Sequence, residues 1–203
     1  MRFGIVVFPG TWSDTDCFHV LKEVFHQPVE YVWHQETDLS GYDCVILPGG
    51  FSYGDYLRCG AVARFSPVME SVEQFAAGDG LVIGICNGFQ APVKAGLLPA
   101  WEGSYKPQAE APLAEATLTD NDSGKFEDRW VYLEKDEETK CVFTQDLDSK
   151  IYLPVAHGEG KFITRDQETL CALVESRQLV LRYVDDHGNP AGYPWNPNGS
   201  MDR

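Results

Sequence analysis

Short apolar runs alternate with stretches of helical periodicity through the first half of this chain. Arg2–Phe8 carries an unbroken run, Phe3-Gly4-Ile5-Val6-Val7-Phe8, which predicts a strand buried on both faces. Val29–Trp33, Asp43–Leu47 and Leu81–Ile85 repeat that signal. Between the first two, Phe18, Leu21, Val24 and Phe25 fall at helical spacing behind Asp14 or Asp16 as a cap. Ser66-Pro67 opens a second helix with Val68, Val72, Phe75 and Ala76 on one face. Strands alternating with helices predict an α/β fold, a mostly parallel central sheet flanked by helices.

The pattern loosens after the first hundred residues. Ser104–Asp128 is rich in Ala, Pro, Glu, Asp and Ser with little periodicity, and reads as an exposed polar surface segment. Its acidic character suits a partner surface, although a solvated loop is the plainer reading. Trp130–Leu133, Ile151–Ala156 and Leu179–Val184 are the next expected strands, with a helix over Asp166–Ser176. The stretch from Asp185 onward is rich in Pro, Asn and Gly and predicts no closing element. No repeat or linker composition divides the chain, so one domain over 1–203 is expected.

Ligands of parallel sheets bind at the carboxyl ends of strands. Two features lie there. Pro48-Gly49-Gly50 follows the third strand, and Gly84-Ile85-Cys86-Asn87-Gly88 follows the fourth. Glycines two residues before and after Cys86 permit the sharp strand-to-helix turn of a nucleophile elbow. The start of the next helix there predicts a thiolate-favouring site for Cys86. Acyl transfer needs two donors aimed at the developing oxyanion. The Gly49-Gly50 backbone can offer one and the Asn87 N–H the other.

The formal charge is −15, with 16 basic residues against 31 acidic ones. That balance argues against nucleic acid and against anionic membranes as partners. The six cysteines, at 17, 44, 59, 86, 141 and 171, show neither a CxxC pair nor zinc-type spacing. No metal is expected, and all but Cys86 read as small apolar residues in a reducing compartment. With no signal-peptide pattern and no run of membrane-spanning length, a cytoplasmic enzyme is expected. No phosphate-binding glycine loop is present.

Gly84-Ile85-Cys86-Asn87-Gly88-Phe89-Gln90 resembles the nucleophile motif of class I, triad-type glutamine amidotransferases. Further blocks are similar to the glutaminase subunits of phosphoribosylformylglycinamidine synthases. These are Val7–Thr11, Pro48–Arg58 continuing through Gly60–Arg64, Ala156–Gly160 and Asn196–Ser200. The resemblance implies a flavodoxin-like sheet and hydrolysis of L-glutamine through a γ-glutamyl thioester. Ammonia would pass to a synthase subunit that makes formylglycinamidine ribonucleotide in purine synthesis. ATP would be consumed by that partner, leaving this chain without a cofactor. By matched position the resemblance makes Cys86 the nucleophile and Gly50 with Asn87 the oxyanion hole. Gly49, Gln90, His157 and Glu159 would hold glutamine.

One part of the pattern is missing. The family's catalytic His and Glu lie in a His-Pro-Glu motif on a loop after one further strand, and residues 1–203 contain none. The expectation is a chain lacking that strand and loop. His157 with Glu159 is the only His-x-Glu, but the family has it in addition to its triad, which favours a substrate-side loop over a substitute base. His19, His26, His34 and His187 read as surface or internally satisfied residues. Two other readings stand beside the enzyme. One is a non-catalytic relative that scaffolds the synthase. The other is a separate cysteine hydrolase or redox sensor, which would have no use for Gln90 or Phe51–Arg64.

Overall fold

The computed structural model describes residues 1–100 and 115–202. The chain resolves into two compact units, Met1–Ala114 and Glu115–Arg203.

The first unit holds a four-stranded, all-parallel sheet of β1 (Phe3–Val7), β2 (Val29–Trp33), β3 (Cys44–Leu47) and β4 (Leu81–Gly84), in the order β2-β1-β3-β4. Alternate residues serve opposite faces. Val6, Val45 and Leu47 join Val68, Met69 and Val72 in one core, while Ile5, Cys44 and Ile46 join Leu21 and Val29 in the other. Two buried faces are why β1 and β3 read as unbroken apolar runs, while edge strand β2 carries Glu30 and exposes Tyr31 and Trp33. Each fully buried Ile, Leu or Val stabilises by about 1.5–3 kcal/mol relative to exposure.

The helices follow the sequence pattern with one departure. α2 (Pro67–Ala77) starts on its proline, and α3 (Asn87–Lys94) follows the elbow. α1 (Asp14–His19) gives way to a wider π turn at Val20–Val24, closed by Phe25 N–H donating to the Val20 carbonyl. The wider turn rotates the apolar face expected there. Leu21 is buried, whereas Val24 and Phe25 are exposed.

The second unit is antiparallel. β6 (Glu127–Lys135) lies between β7 (Lys150–His157) and β9 (Leu181–Val184), and β5 (Ala116–Thr119) pairs with β8 (Lys161–Thr164). α4 (Gln167–Glu175) is capped by Asp166, whose carboxylate accepts from Thr169 N–H at 2.8 Å.

One expectation needs correction here. Of the segment 104–128, residues 104–114 lie outside the described ones, and the remainder is not a solvated loop. Ala116 and Leu118 are buried on β5, as are Asn121 and Glu127. The stretch after Asp185 forms no further helix or strand among the described residues, as expected, but its side chains are anchored. Asn196 and Asn198 are buried, and the Asn198 carbonyl accepts from Asp122 N–H at 3.1 Å.

Candidate active site

The chain leaves β1 for β2 on one side and returns to β3 on the other, which opens a crevice at the carboxyl ends of β1 and β3. The loops after these strands interlock. Thr11 and Gly50 form an isolated antiparallel bridge, Trp12 and Ser13 N–H both donate to the Gly49 carbonyl, and Phe51 N–H donates to that of Gly10. Gly50 sits at φ +143°, and a Cβ there would lie 2.5 Å from the Trp12 nitrogen. Only glycine fits.

Cys86 caps α3 with φ 54° and ψ −115°. A non-glycine residue held in such a region costs of order 1–3 kcal/mol and marks a position imposed by its surroundings. The flanking glycines are demanded by contact. A Cβ at Gly84 would meet the Gly88 carbonyl oxygen at 2.4 Å, and one at Gly88 would meet that of Leu47 at 1.8 Å. The elbow thus packs its backbone directly on β3 and presents Cys86 to solvent. A Cβ added to Gly49 would stand 3.3 Å from that of Cys86, so the two strand-end loops are adjacent.

The backbone N–H groups of Asn87 and Gly50 both act on the Cys86 sulfur and favour its thiolate. The next three N–H groups do not reach it. Gly88 donates to the Ile85 carbonyl, and Phe89 and Gln90 donate to that of Cys86. Against the two donors stands the larger effect, loss of hydration on the protein side of the sulfur, joined by the Asp55 carboxylate. The thiol is therefore pushed up, contrary to the thiolate-favouring site expected from a helix start alone.

Asn87 does more than offer its N–H. Its Oδ1 accepts from Ser52 N–H at 3.0 Å, and its Nδ2 donates to Asp55 Oδ1 at 2.9 Å and to Gln90 Oε1 at 3.1 Å. The Gln90 side chain is buried in this network. Ser52 and Asp55 lie in the Pro48–Arg58 block, but no role was assigned to either from the sequence. Their part is set by the loop of Phe51–Leu57, where Tyr53, Asp55 and Leu57 all take positive φ.

Cys86, Gly49, Gly50, Asn87 and Gln90 therefore share the first unit, and His157 and Glu159 share a turn of the second. His157 Nδ1 faces Asn121 Oδ1 at 3.1 Å, and burial lowers its pKa. His34 is buried and satisfied, its Nδ1 3.0 Å from the Tyr53 hydroxyl. No group of metal-ligating side chains occurs among the described residues. Among those residues no helix is long and apolar enough to cross a membrane.

A sheet of this topology with a cysteine elbow beside a glycine loop is the arrangement of an amidotransferase. The model of the CobB/CobQ-like glutamine amidotransferase domain matches residues 1–203, and the chain belongs to that family. Within it, the chain is similar to phosphoribosylformylglycinamidine synthase subunits PurQ. It is 44% identical to that of Moorella thermoacetica, over 99% of this chain and 78% of the relative. It is 46% identical to that of Alkaliphilus metalliredigens, over 98% and 77%. Among solved structures it resembles PurLQS from Thermotoga maritima, with 35% identity and a TM-score of 0.75, over 100% of this chain and 78% of that one.

Proposed function

We propose that this chain is the glutaminase subunit of a phosphoribosylformylglycinamidine synthase, with Cys86 as its nucleophile. The observation that carries this reading is the elbow at Cys86, an exposed residue whose thiolate the backbone N–H groups of Gly50 and Asn87 favour.

Cys86 Sγ attacks the γ-carboxamide carbon of bound L-glutamine. The carbonyl oxygen takes up negative charge and receives the Gly50 and Asn87 N–H groups, an arrangement whose loss typically costs about a hundred- to a thousandfold in rate. Collapse breaks the C–N bond, and the thiol proton leaves with the nitrogen as ammonia. Water then cleaves the thioester, giving glutamate and the regenerated thiol. Because lost hydration and the Asp55 carboxylate push the thiol up, a general base takes its proton during attack. Gln90 and Gly49 support the substrate pocket beside the elbow.

Ammonia passes to the synthase subunit, which consumes ATP, so this chain needs no cofactor. The relative in the Thermotoga maritima PurLQS structure supports a heteromeric assembly. The acidic surface supports neither a nucleic-acid nor a membrane partner, and a cytoplasmic location fits the purine pathway.

The test is Cys86→Ala in the full-length protein reconstituted with its synthase. Glutamine-dependent amidine formation is expected to vanish while the rate with added ammonia is kept. Equal loss with both nitrogen donors would remove Cys86 from the chemistry. Retained activity with glutamine would leave the chain a scaffold.

A further inference from the structure

Asp55 belongs to a loop pinned from several sides. Tyr53 N–H donates to the Pro9 carbonyl at 2.6 Å, and the Tyr53 hydroxyl lies 3.0 Å from His34 Nδ1 and 2.7 Å from Ser66 Oγ. Ser52 N–H donates to Asn87 Oδ1 at 3.0 Å. Within the loop Tyr53 and Asp55 take φ of 54° and 51°, a region that residues other than glycine hold only where their surroundings impose it. The Asp55 carboxylate is therefore delivered to one place.

The Asn87 amide fixes that place relative to the elbow. A backbone N–H can only donate, so Oδ1 faces Ser52 and the NH2 end faces Asp55. Asp55 Oδ1 is thereby occupied at 2.9 Å. Its Oδ2 makes no hydrogen bond among the described residues, and the side chain is only half-buried. The backbone N–H of the same Asn87 acts on the Cys86 sulfur, so a single residue joins carboxylate and nucleophile. The carboxylate is close enough for its charge to disfavour the thiolate. A second anion placed at the sulfur would meet the same repulsion.

Glutamine and glutamate carry the same α-amino and α-carboxylate groups and differ only at the γ position. With one γ-oxygen at the Gly50 and Asn87 N–H groups, the remaining γ atom of glutamine is a neutral NH2 donor. In glutamate it is an acceptor that shares a negative charge. We propose that Asp55 is a specificity-determining residue, its Oδ2 accepting from the γ-NH2 of glutamine and its charge turning away the γ-carboxylate of glutamate. The product of hydrolysis then does not hold the site against fresh substrate. This inference rests on the glutaminase reading given above and adds what that site rejects.

The experiment is calorimetric titration of glutamine and of glutamate into the full-length Cys86→Ala protein reconstituted with its synthase, where glutamine binds without turnover. With Asp55 in place, glutamine is expected to bind, and glutamate to bind more weakly by about tenfold or more. In Asp55→Asn the new side chain gives its oxygen to Asn87 and presents NH2 where Oδ2 stood. That variant is expected to weaken glutamine and strengthen glutamate, each by about tenfold, the scale of one hydrogen bond or one like-charge contact. Opposite shifts are diagnostic, because a loop that had only lost its shape would weaken both ligands. Asp55→Ala, which removes the charge without adding a donor, is also expected to strengthen glutamate and serves if the asparagine variant does not fold. Both ligands weakening together, or neither changing, overturns the inference and leaves the glutaminase reading standing. Failure of glutamine to bind with Asp55 in place overturns that reading and the inference with it.

Discussion

Asn87 Nδ2 donates to Gln90 Oε1 across one turn of α3, at 3.1 Å, with both side chains buried. The same residue offers its N–H to the Cys86 sulfur and holds the Ser52–Asp55 loop through Oδ1 and Nδ2. One residue thus couples the donor of the oxyanion site to the loop that brings Asp55 near the thiol.

Replacing Asn87 by Asp puts a carboxylate oxygen where two acceptors, Asp55 Oδ1 and Gln90 Oε1, expect a donor. Asn87→Asp is expected to lower stability by about 1–3 kcal/mol, the cost of a buried polar group left without its partner. Urea unfolding of the full-length protein reads this directly. An unchanged midpoint would mean the network is not formed in solution.

The Asp55 carboxylate raises the Cys86 pKa, so removing its charge should lower it. Asp55→Asn is expected to shift the pH dependence of Cys86 alkylation to lower pH, so that the thiol reacts faster near neutrality. Wild-type Cys86 is expected to titrate above an ordinary thiol. A wild-type thiol already ionised at neutral pH would contradict the dominance of lost hydration over the two N–H donors.

Gly50→Ala forces a Cβ to within 2.5 Å of the Trp12 nitrogen, and the positive φ is strained as well. The loop must move, and its N–H leaves the sulfur. Glutamine hydrolysis should fall by about a hundredfold or more. Ammonia-dependent synthesis should persist, which distinguishes a displaced donor from a misfolded subunit.

Asp166 caps α4, and its bonds to Thr169 with help from Arg165 bring its pKa from 3.8 to about 2. The folded value lies below the unfolded one, so the contribution to stability is full above about pH 4 and fades as pH falls towards 2. Asp166→Asn keeps the cap but not the charge. Its deficit in melting temperature should be present at neutral pH and close over that acid range. A deficit independent of pH would show that the charge contributes nothing.

The sheet of the first unit was legible because both faces of β1 and β3 are buried, which leaves those strands uninterrupted apolar runs. β5 was not. Ala116-Thr117-Leu118-Thr119 is short and half polar, and only its pairing with Lys161–Thr164 makes it a strand. Asn121 and Glu127 were lost in the same acidic stretch, since burial is a property of what packs on a residue and leaves no mark on its neighbours in sequence.

For Cys86 and its glycines, the sequence pattern was enough, because close backbone approach leaves no choice of residue. A bend that lays Gly88 against Leu47 excludes every side chain, so the letters themselves mark the place and the nucleophile. The Asn87 donor is local to the elbow, but tertiary structure decided the balance at that sulfur. Its hydration, the Asp55 charge and the Gly50 donor all come from residues distant in the chain, and electrostatic effects follow distance in space rather than in sequence.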